Sequence, residues 1–346
     1  MTASTMTIAE ALLHWYDRHA RELPWRNPPG AARPGDAAWP YRVWLSEVML
    51  QQTTVAAVKP YFAKFIATWP SIEALAAADE AEVMSAWAGL GYYSRARNLV
   101  KCAREVAARG GFPQTEAELR ELPGLGPYTA AAIAAIAFGE PAVVVDANVE
   151  RVVARLFAID TPLPAARGAI RERAGEITPK QRAGDFAQAM MDLGATVCTS
   201  RDPSCELCPL AVQCAGWAAG DPARLPRKAA KKPRPERRGR AFWIERAGAV
   251  WLVTRRGKGM LRGMRALPDD GWSAQADGSG HAPMPGDGLS MGVVRHVFTH
   301  ASLTLELVRL DGEPIGEGEW WPVERIDEAG LPTLFAKAVR LALTRR

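Results

Sequence analysis

Three groups of side chains have the types and spacing to do chemistry. Glu47 lies in Val43-Trp-Leu-Ser-Glu-Val-Met-Leu-Gln-Gln-Thr53 and is the one acidic residue between Asp36 and Glu73. Buried in so apolar a helix, its carboxyl would be pushed up and would suit a general acid near neutral pH. Turned to water, it would be an ordinary surface glutamate. Asp146 follows Val143-Val-Val and precedes Ala147-Asn148-Val149. An aspartate in that setting is a helix N-cap, a carboxylate that stabilises a cation in a cleft, or both. Cys198, Cys205, Cys208 and Cys214 crowd into 17 residues with the spacing C-x6-C-x2-C-x5-C. Clustered thiols in a cytosolic chain read as metal ligands rather than disulfides. Only Cys205 and Cys208 form a short knuckle of the kind zinc favours. Four thiolates along one loop also suit a [4Fe–4S] cube, and both metals stay open on spacing alone. Cys102, in an Ala-rich stretch, reads as a buried small side chain.

A fourth pattern could bind phosphate. Leu122-Pro-Gly-Leu-Gly-Pro-Tyr-Thr-Ala130 joins two helical segments. Gly124 and Gly126 free the backbone to turn, and a helix start after them presents N–H groups to an anion. The alternative is a plain glycine turn.

Helices must position these groups. Amphipathic or Ala-rich segments are predicted over Ile8–Arg21, Tyr41–Val58, Ser71–Ala86, Ser94–Arg109, Tyr128–Ala137 and Val149–Leu156. Pro24, Pro60, Pro70, Pro113, Pro123 and Pro141 are read as the breaks between them. Further on the pattern changes. Phe242–Arg256 reads as two strands around Ala247-Gly248, Val293–Leu310 as a half-buried strand, and Pro332–Arg346 as a closing helix.

The 346 residues allow two domains, each long enough for its own core. Charged residues at 23% and hydrophobic ones at 48% exclude a largely disordered chain. No apolar run approaches a bilayer span, since Ala130–Phe138 ends at Gly139, and Met1–Glu10 lacks a secretory pattern. The expectation is a cytoplasmic protein. Net charge is +5, but Arg224–Arg240 holds nine Lys or Arg and one Glu, so the remainder carries about −3. High basicity is thus weak testimony for nucleic acid. Ala218–Arg240, rich in Pro and like charges, is predicted to be a solvated linker.

Taken together, hairpin, aspartate and four-cysteine loop resemble the endonuclease III superfamily of helix-hairpin-helix DNA glycosylases. Leu23-Pro-Trp-Arg26, Val43–Thr53, Gly89-Leu-Gly-Tyr-Tyr-Ser-Arg-Ala-Arg-Asn98 and Ala189-Met-Met-Asp-Leu-Gly-Ala195 narrow the resemblance to the adenine DNA glycosylases. It runs from about Ile8 to Trp217 and is weaker beyond, resting there on Arg295-His-Val-Phe-Thr-His300.

The resemblance implies a multi-domain chain. Residues 1–217 would form an all-α helix-hairpin-helix glycosylase domain with an iron–sulfur cluster loop, 218–240 a linker, and 241–346 an α+β Nudix-like domain. It implies excision of adenine opposite 8-oxoguanine or guanine in double-stranded DNA, by a monomer. Glu47 would protonate the base and Asp146 would stabilise the oxocarbenium-like sugar, beside Tyr128 and Asn148. Superfamily members that also cut the strand carry a Lys where this chain has Tyr128, so a monofunctional enzyme is implied. Gln52 and Tyr92 would wedge into the duplex, with Thr53 beside Gln52 and Leu90 against the 8-oxoguanine. Arg26 and Gln188 would line the adenine pocket, and Gly124 and Gly126 would meet phosphate. Phe298, Thr299 and His300 would contact the lesion strand. Cys198, Cys205, Cys208 and Cys214 would hold a structural [4Fe–4S] cluster, with Arg201 near phosphates. No pyrophosphatase box is present, so no Nudix hydrolysis is expected. Two departures stand out. Ala147 replaces a usual Gly, and Leu261-Arg-Gly-Met-Arg265 replaces a Leu-Trp-Gly-Gly-Leu run.

Overall fold

The computed structural model describes residues 6–229, 233–256, 261–298 and 300–345. They divide into two compact units, 6–83 with 94–229, and 84–93 with 233–345.

The first unit is helical. Its helices are α1 (Ile8–His19), α2 (Ala38–Leu50), α3 (Val55–Thr68), α4 (Ile72–Ala77), α5 (Glu80–Ala86, shared with the second unit), α6 (Ser94–Ala108), α7 (Glu116–Leu119), α8 (Pro127–Ile133), α9 (Ala147–Leu156), α10 (Arg167–Ile177), α11 (Ala183–Thr196) and α12 (Ala215–Ala218). Local chemistry sets the starts. Thr7 and Glu10 form a reciprocal capping box on α1. Thr54 and Ser71 cap α3 and α4. The Thr54 cap splits the helix predicted over Tyr41–Val58 in two, and Pro60 lies inside α3 rather than between helices. Ser71–Ala86 is likewise two short helices, α4 and α5. A π-helical turn, Ala134–Phe138, continues α8.

Helix α2 is buried on almost every side, including Trp39, Tyr41, Trp44, Leu45 and Met49. That burial draws Glu47 inward. The buried Arg95 of α6 donates to the carbonyls of Val48 (3.0 Å) and Met49 (2.9 Å) at the end of α2. A guanidinium there satisfies orphan carbonyls and complements the helix dipole.

The second unit carries a mixed sheet. Its strands are β1 (Glu236–Arg246), β2 (Ala249–Thr254), β3 (Arg265–Ala266), β4 (Leu289–Val297), β5 (Ser302–Leu310) and β6 (Glu319–Pro322). Their order is β3-β2-β1-β5-β4, with β6 also on β2, and β1 runs parallel to β5. The closing helix α13 (Thr333–Thr344) brings Leu334, Phe335, Ala338 and Val339 onto Trp243, Leu303, Leu305 and Leu307. The opposite sheet face buries Phe242, Ile244, Val308 and Leu310 against Met284. The predicted strand over Val293–Leu310 is two strands, the end of β4 and β5. Strand β5 alternates through Leu307 as its half-buried pattern suggests and is covered on both faces only over Leu307–Leu310.

The linker is shorter than predicted. Pro222 and Leu225 are buried, and Arg155 donates to the Leu225 carbonyl at 2.9 Å. Glu236–Arg240 pairs with β5 from Ser302 onward. Strand pairing uses the backbone, so a basic run forms a ladder while its charged ends stay wet. Among the described residues no helix is long and apolar enough to cross a membrane.

Candidate active site

A cavity of about 970 Å³ opens in the first unit, walled by α2, the hairpin, α8, the start of α9 and α11. Ten of the residues singled out from the sequence line it: Arg26, Glu47, Gln52, Thr53, Gly124, Gly126, Tyr128, Asp146, Asn148 and Gln188. They come from opposite ends of the domain, so only the fold joins them.

Glu47 is buried, and the Tyr128 hydroxyl donates to its Oε2 at 2.8 Å. Burial pushes the Glu47 carboxyl up to about 7, and the charge of Asp146 adds to this. The Tyr128 hydrogen bond and Arg26 pull the other way. Of the two readings of Glu47, the buried acid is the one found. Tyr128 is held far above its ordinary value, by burial first and then by the two carboxylates, so it remains a donor.

Asp146 is the N-cap of α9. Its Oδ1 accepts from the Val149 N–H at 2.7 Å and its Oδ2 from Asn148 Nδ2 at 2.9 Å. The N-cap reading holds, and the carboxylate it fixes lines the cavity. Burial raises it, against the pull of these hydrogen bonds and of Arg151. Ala147 begins α9 without a left-handed backbone, so the glycine usual in the family is not required by this geometry. Arg151 extends the chain of contacts. It donates to Asn148 Oδ1 (3.0 Å), to the Gly194 carbonyl (2.5 Å) and to the Cys198 carbonyl (2.7 Å).

Sequence reasoning overlooked Asp192, which has no exposed surface. It accepts from Arg26 Nη1 (2.7 Å) and Nη2 (2.9 Å), and from the Arg21 side chain (2.6 Å) and backbone (3.0 Å). A bidentate carboxylate holds Arg26 flat against the cavity wall. The signal was available, since Asp192 is a lone acid in the apolar stretch Ala189–Ala195, as Glu47 is in α2. Gln51 was missed as well. It lines the cavity and donates to Thr129 at 3.0 Å, tying the end of α2 to α8. Gln188 is buried, its Nε2 reaching the Gly184 carbonyl at 3.4 Å.

In the hairpin, Gly124 has φ +81°, and a Cβ there would stand 2.7 Å from the Asn98 Cβ. Gly126 differs: it caps α8 with ordinary dihedrals and open space around it. The fold demands glycine at the first position, whereas the second leaves clear access to the N–H groups of α8.

Other expected residues are not among those that line the cavity. Leu90 and Tyr92 belong to the second unit, as do Phe298 and His300. Thr299 lies outside the described residues. Gln52 and Tyr92 share one feature, a left-handed backbone, with φ +56° and +49°. Phe298 is half-buried and His300 exposed. Leu261 packs on the sheet core, and Arg265 lies over the Trp321 ring.

Cys198, Cys205, Cys208 and Cys214 line one small pocket with Arg155, and all four are free thiols. Arg155 is buried and donates to Cys198 Sγ (3.3 Å) and to the carbonyls of Thr199 (2.6 Å) and Ser200 (3.0 Å). Burial pushes the Cys208 thiol up to about 11, and the other three thiolates add to it. A soft cationic group would relieve that crowding. Among the described residues no three His, Cys, Asp or Glu side chains are grouped so as to hold one metal ion.

A helical hairpin beside a cavity lined by the buried Glu47 and the half-buried Asp146 fits a helix-hairpin-helix base-excision DNA glycosylase. The model of the HhH-GPD superfamily base excision DNA repair protein matches residues 45–179, and that of the NUDIX domain matches 240–341. A solved thermostable thymine-DNA glycosylase superposes with a TM-score of 0.53 at 29% identity, over 61% of this chain and 95% of that one. The adenine DNA glycosylase of Homo sapiens is 34% identical, over 98% of this chain and 74% of that protein. That of Mycolicibacterium smegmatis is 44% identical, over 61% of this chain and 70% of that protein. The chain belongs to the adenine DNA glycosylase family. It is a DNA N-glycosylase of base excision repair.

Proposed function

We propose that this enzyme removes adenine mispaired with 8-oxoguanine or guanine from double-stranded DNA and leaves an abasic site. The observation that carries the reading is the convergence of Glu47, Tyr128, Asp146 and Asn148 on one cavity, with Glu47 raised to about 7. The N-glycosidic bond lies inside the base stack, so the adenine must be flipped out to react. A cavity of about 970 Å³ has room for it.

Adenine leaves poorly until its ring is protonated. Glu47, near half-protonated at neutral pH, donates that proton, and Tyr128 fixes its carboxyl by the 2.8 Å hydrogen bond. As the C–N bond breaks, positive charge grows on the sugar. Asp146 faces it as the carboxylate, because ionising Asp146 first keeps Glu47 protonated. Asn148 holds Asp146 in place. Glu47, now ionised, takes a proton from the attacking water. No lysine lines the cavity among the described residues, and Tyr128 cannot form a Schiff base, so strand cleavage is not part of the reaction.

Arg26, held by Asp192, and Gln188 offer hydrogen bonds to the base edge. Gln52 and Tyr92 fill the gap left by the flipped nucleotide, with Thr53 and Leu90 beside them. Gly124 and Gly126 open backbone N–H groups to phosphate. Phe298 and His300, with Thr299, read the opposing 8-oxoguanine. The domain of residues 1–217 thus carries the chemistry, and the Nudix-like domain from 241 onward, extended back to Glu236 by β1, carries lesion choice. Cys198, Cys205, Cys208 and Cys214 would hold a [4Fe–4S] cluster in the loop that Arg151 and Arg155 grip. Its role there is to shape the loop rather than to react. A monomer acting in the cytoplasm is part of this reading, supported by the free thiols.

The test is a single-turnover assay on a duplex with adenine opposite 8-oxoguanine, quenched with and without hot alkali. Strand scission only after alkali is the expected result. Tight binding with no adenine release, or scission without alkali, overturns it.

A further inference from the structure

A column of stacked groups stands behind Phe298. Its base is Asp269, whose Oδ2 pairs with Arg255 Nη1 at 2.5 Å. The other arm of Arg255, Nη2, donates to the Trp272 carbonyl at 3.2 Å. This double hold lays the guanidinium over the Trp272 indole, 4.4 Å from its centre. Trp272 stacks in turn on Phe298, with centroids 5.8 Å apart and planes at 29°. Phe298 also meets His296 in an edge-on contact, with centroids 4.5 Å apart and planes at 66°.

The column is built in rather than incidental. Trp272 is only 1% exposed. Strand β1 passes beneath it as Gly239, where a Cβ would stand 2.6 Å from the indole. Phe335 of α13 closes another side at 6.5 Å. The Phe298 N–H is fixed by the Ala301 carbonyl at 2.8 Å. Cation–π and aromatic contacts of this kind are directional, so they fix ring orientation as well as position. The sheet core does not need a cation here, because the buried residues that fill the rest of it are apolar.

We propose that Arg255 is a positioning residue for Phe298, acting through Trp272, and that it sets how strongly 8-oxoguanine is preferred over guanine opposite the adenine. The inference rests on the reading above that Phe298 and His300 contact the lesion strand. The two guanines differ by one oxygen and one N–H, so only a well-fixed contact separates them. A Phe298 ring released from its stack still adds apolar area, but it no longer meets one base face at one angle.

Three variants test this: Arg255→Met, Phe298→Ala and the double variant. Each is read by the ratio of single-turnover excision rates on duplexes with 8-oxoguanine and with guanine opposite adenine. Phe298→Ala lowers the ratio. Arg255→Met lowers it about three- to tenfold, the span of one aromatic or cation–π contact. The double variant falls no further than Phe298→Ala alone, and Arg255→Lys, which keeps the charge over the ring, recovers part of the ratio. Trp272→Phe serves the same test if Arg255→Met does not fold. A ratio unchanged in Phe298→Ala would sink the lesion-reader reading itself. A ratio lowered by Phe298→Ala but untouched by Arg255→Met, or losses that simply multiply in the double variant, would overturn the role of Arg255 alone.

Discussion

The cavity of the first unit and the aromatic column of the second are built on different physics. In the cavity the titratable groups are buried or half-buried and each is wired to a polar neighbour: Glu47 to Tyr128, Asp146 to Asn148, Arg26 to Asp192. Each group's protonation therefore depends on its neighbour. In the column the neighbours set only direction, through ring faces that remain half-exposed at Phe298. The difference teaches where mutation should cost most. Breaking a wired charge changes chemistry by orders of magnitude, whereas loosening a ring changes a ratio.

The largest effect is expected at Glu47. Glu47→Gln should slow excision about 10²–10⁴-fold, the worth of a positioned general acid, while DNA binding persists. A variant that excised at the full rate would remove Glu47 from the chemistry. In the parent enzyme the excision rate should fall as pH rises through about 7, because the protonated form is the active one. Stability supplies a second check. The Glu47 value in the folded chain lies near 7, above its ordinary 4.5, so the folded state holds this proton more tightly than the unfolded chain does. That advantage is complete below 4.5 and is lost as pH rises through 7. Gln has no proton to lose. Its stability gain over Glu should grow from about 1 kcal/mol at pH 5 to about 3 kcal/mol at pH 8, measured by urea unfolding.

Asp146→Asn separates cap from charge. Asn caps a helix as well as Asp, so the unfolding midpoint should barely move. Loss of the carboxylate should still slow excision about 10²–10³-fold, as for other removed electrostatic groups. A large drop in stability with modest loss of rate would reverse the assignment and leave Asp146 a cap alone.

Asp192→Ala tests the wiring itself. It strands Arg26, whose side chain is 8% exposed, without its partner. Leaving a buried charge unpaired costs about 3–5 kcal/mol, well above any change expected in the aromatic column. A drop under about 1 kcal/mol would mean that Arg26 finds water.

Legibility followed the same division. Glu47 and Asp146 were visible because an acid in an apolar run is anomalous against its surroundings, and burial is what gives such an acid its chemistry. The hairpin glycines were visible for a related reason, although the structure separates their roles: Gly124 serves the turn and Gly126 serves access. The N-cap at Thr54 was there to be read, yet the apolar period ran through it and two helices were joined as one. Arg255 and Trp272 carried no signal. They lie 17 residues apart in Gly- and Pro-rich sequence, and only the sheet brings them together. The strand Glu236–Arg240 was hidden by its own charge, since composition reports side chains and a ladder is made by backbone.

The smallest effect concerns a backbone feature found in both units. Gln52 in the first unit and Tyr92 in the second adopt left-handed backbone at φ +56° and +49°, which costs a side-chain-bearing residue about 1 kcal/mol or more. Both were singled out as wedges into the duplex. Replacing each with Gly and with Ala removes the wedge equally but relieves the backbone only in the Gly variant. Gly should therefore be the more stable of each pair by about 1 kcal/mol, the reverse of its usual rank against Ala. The two variants should bind mispaired DNA alike, and more weakly than the parent. If Ala equals Gly in stability, the left-handed turn is not held in the free enzyme, and the wedges adopt it only with DNA present. If binding by the Gly variant alone collapses, the stiffness of the turn matters as much as the side chain it carries. The strain at Gln52 and Tyr92 would then be what pre-aims them, a geometric device of the aromatic column's kind rather than the charge wiring of the cavity.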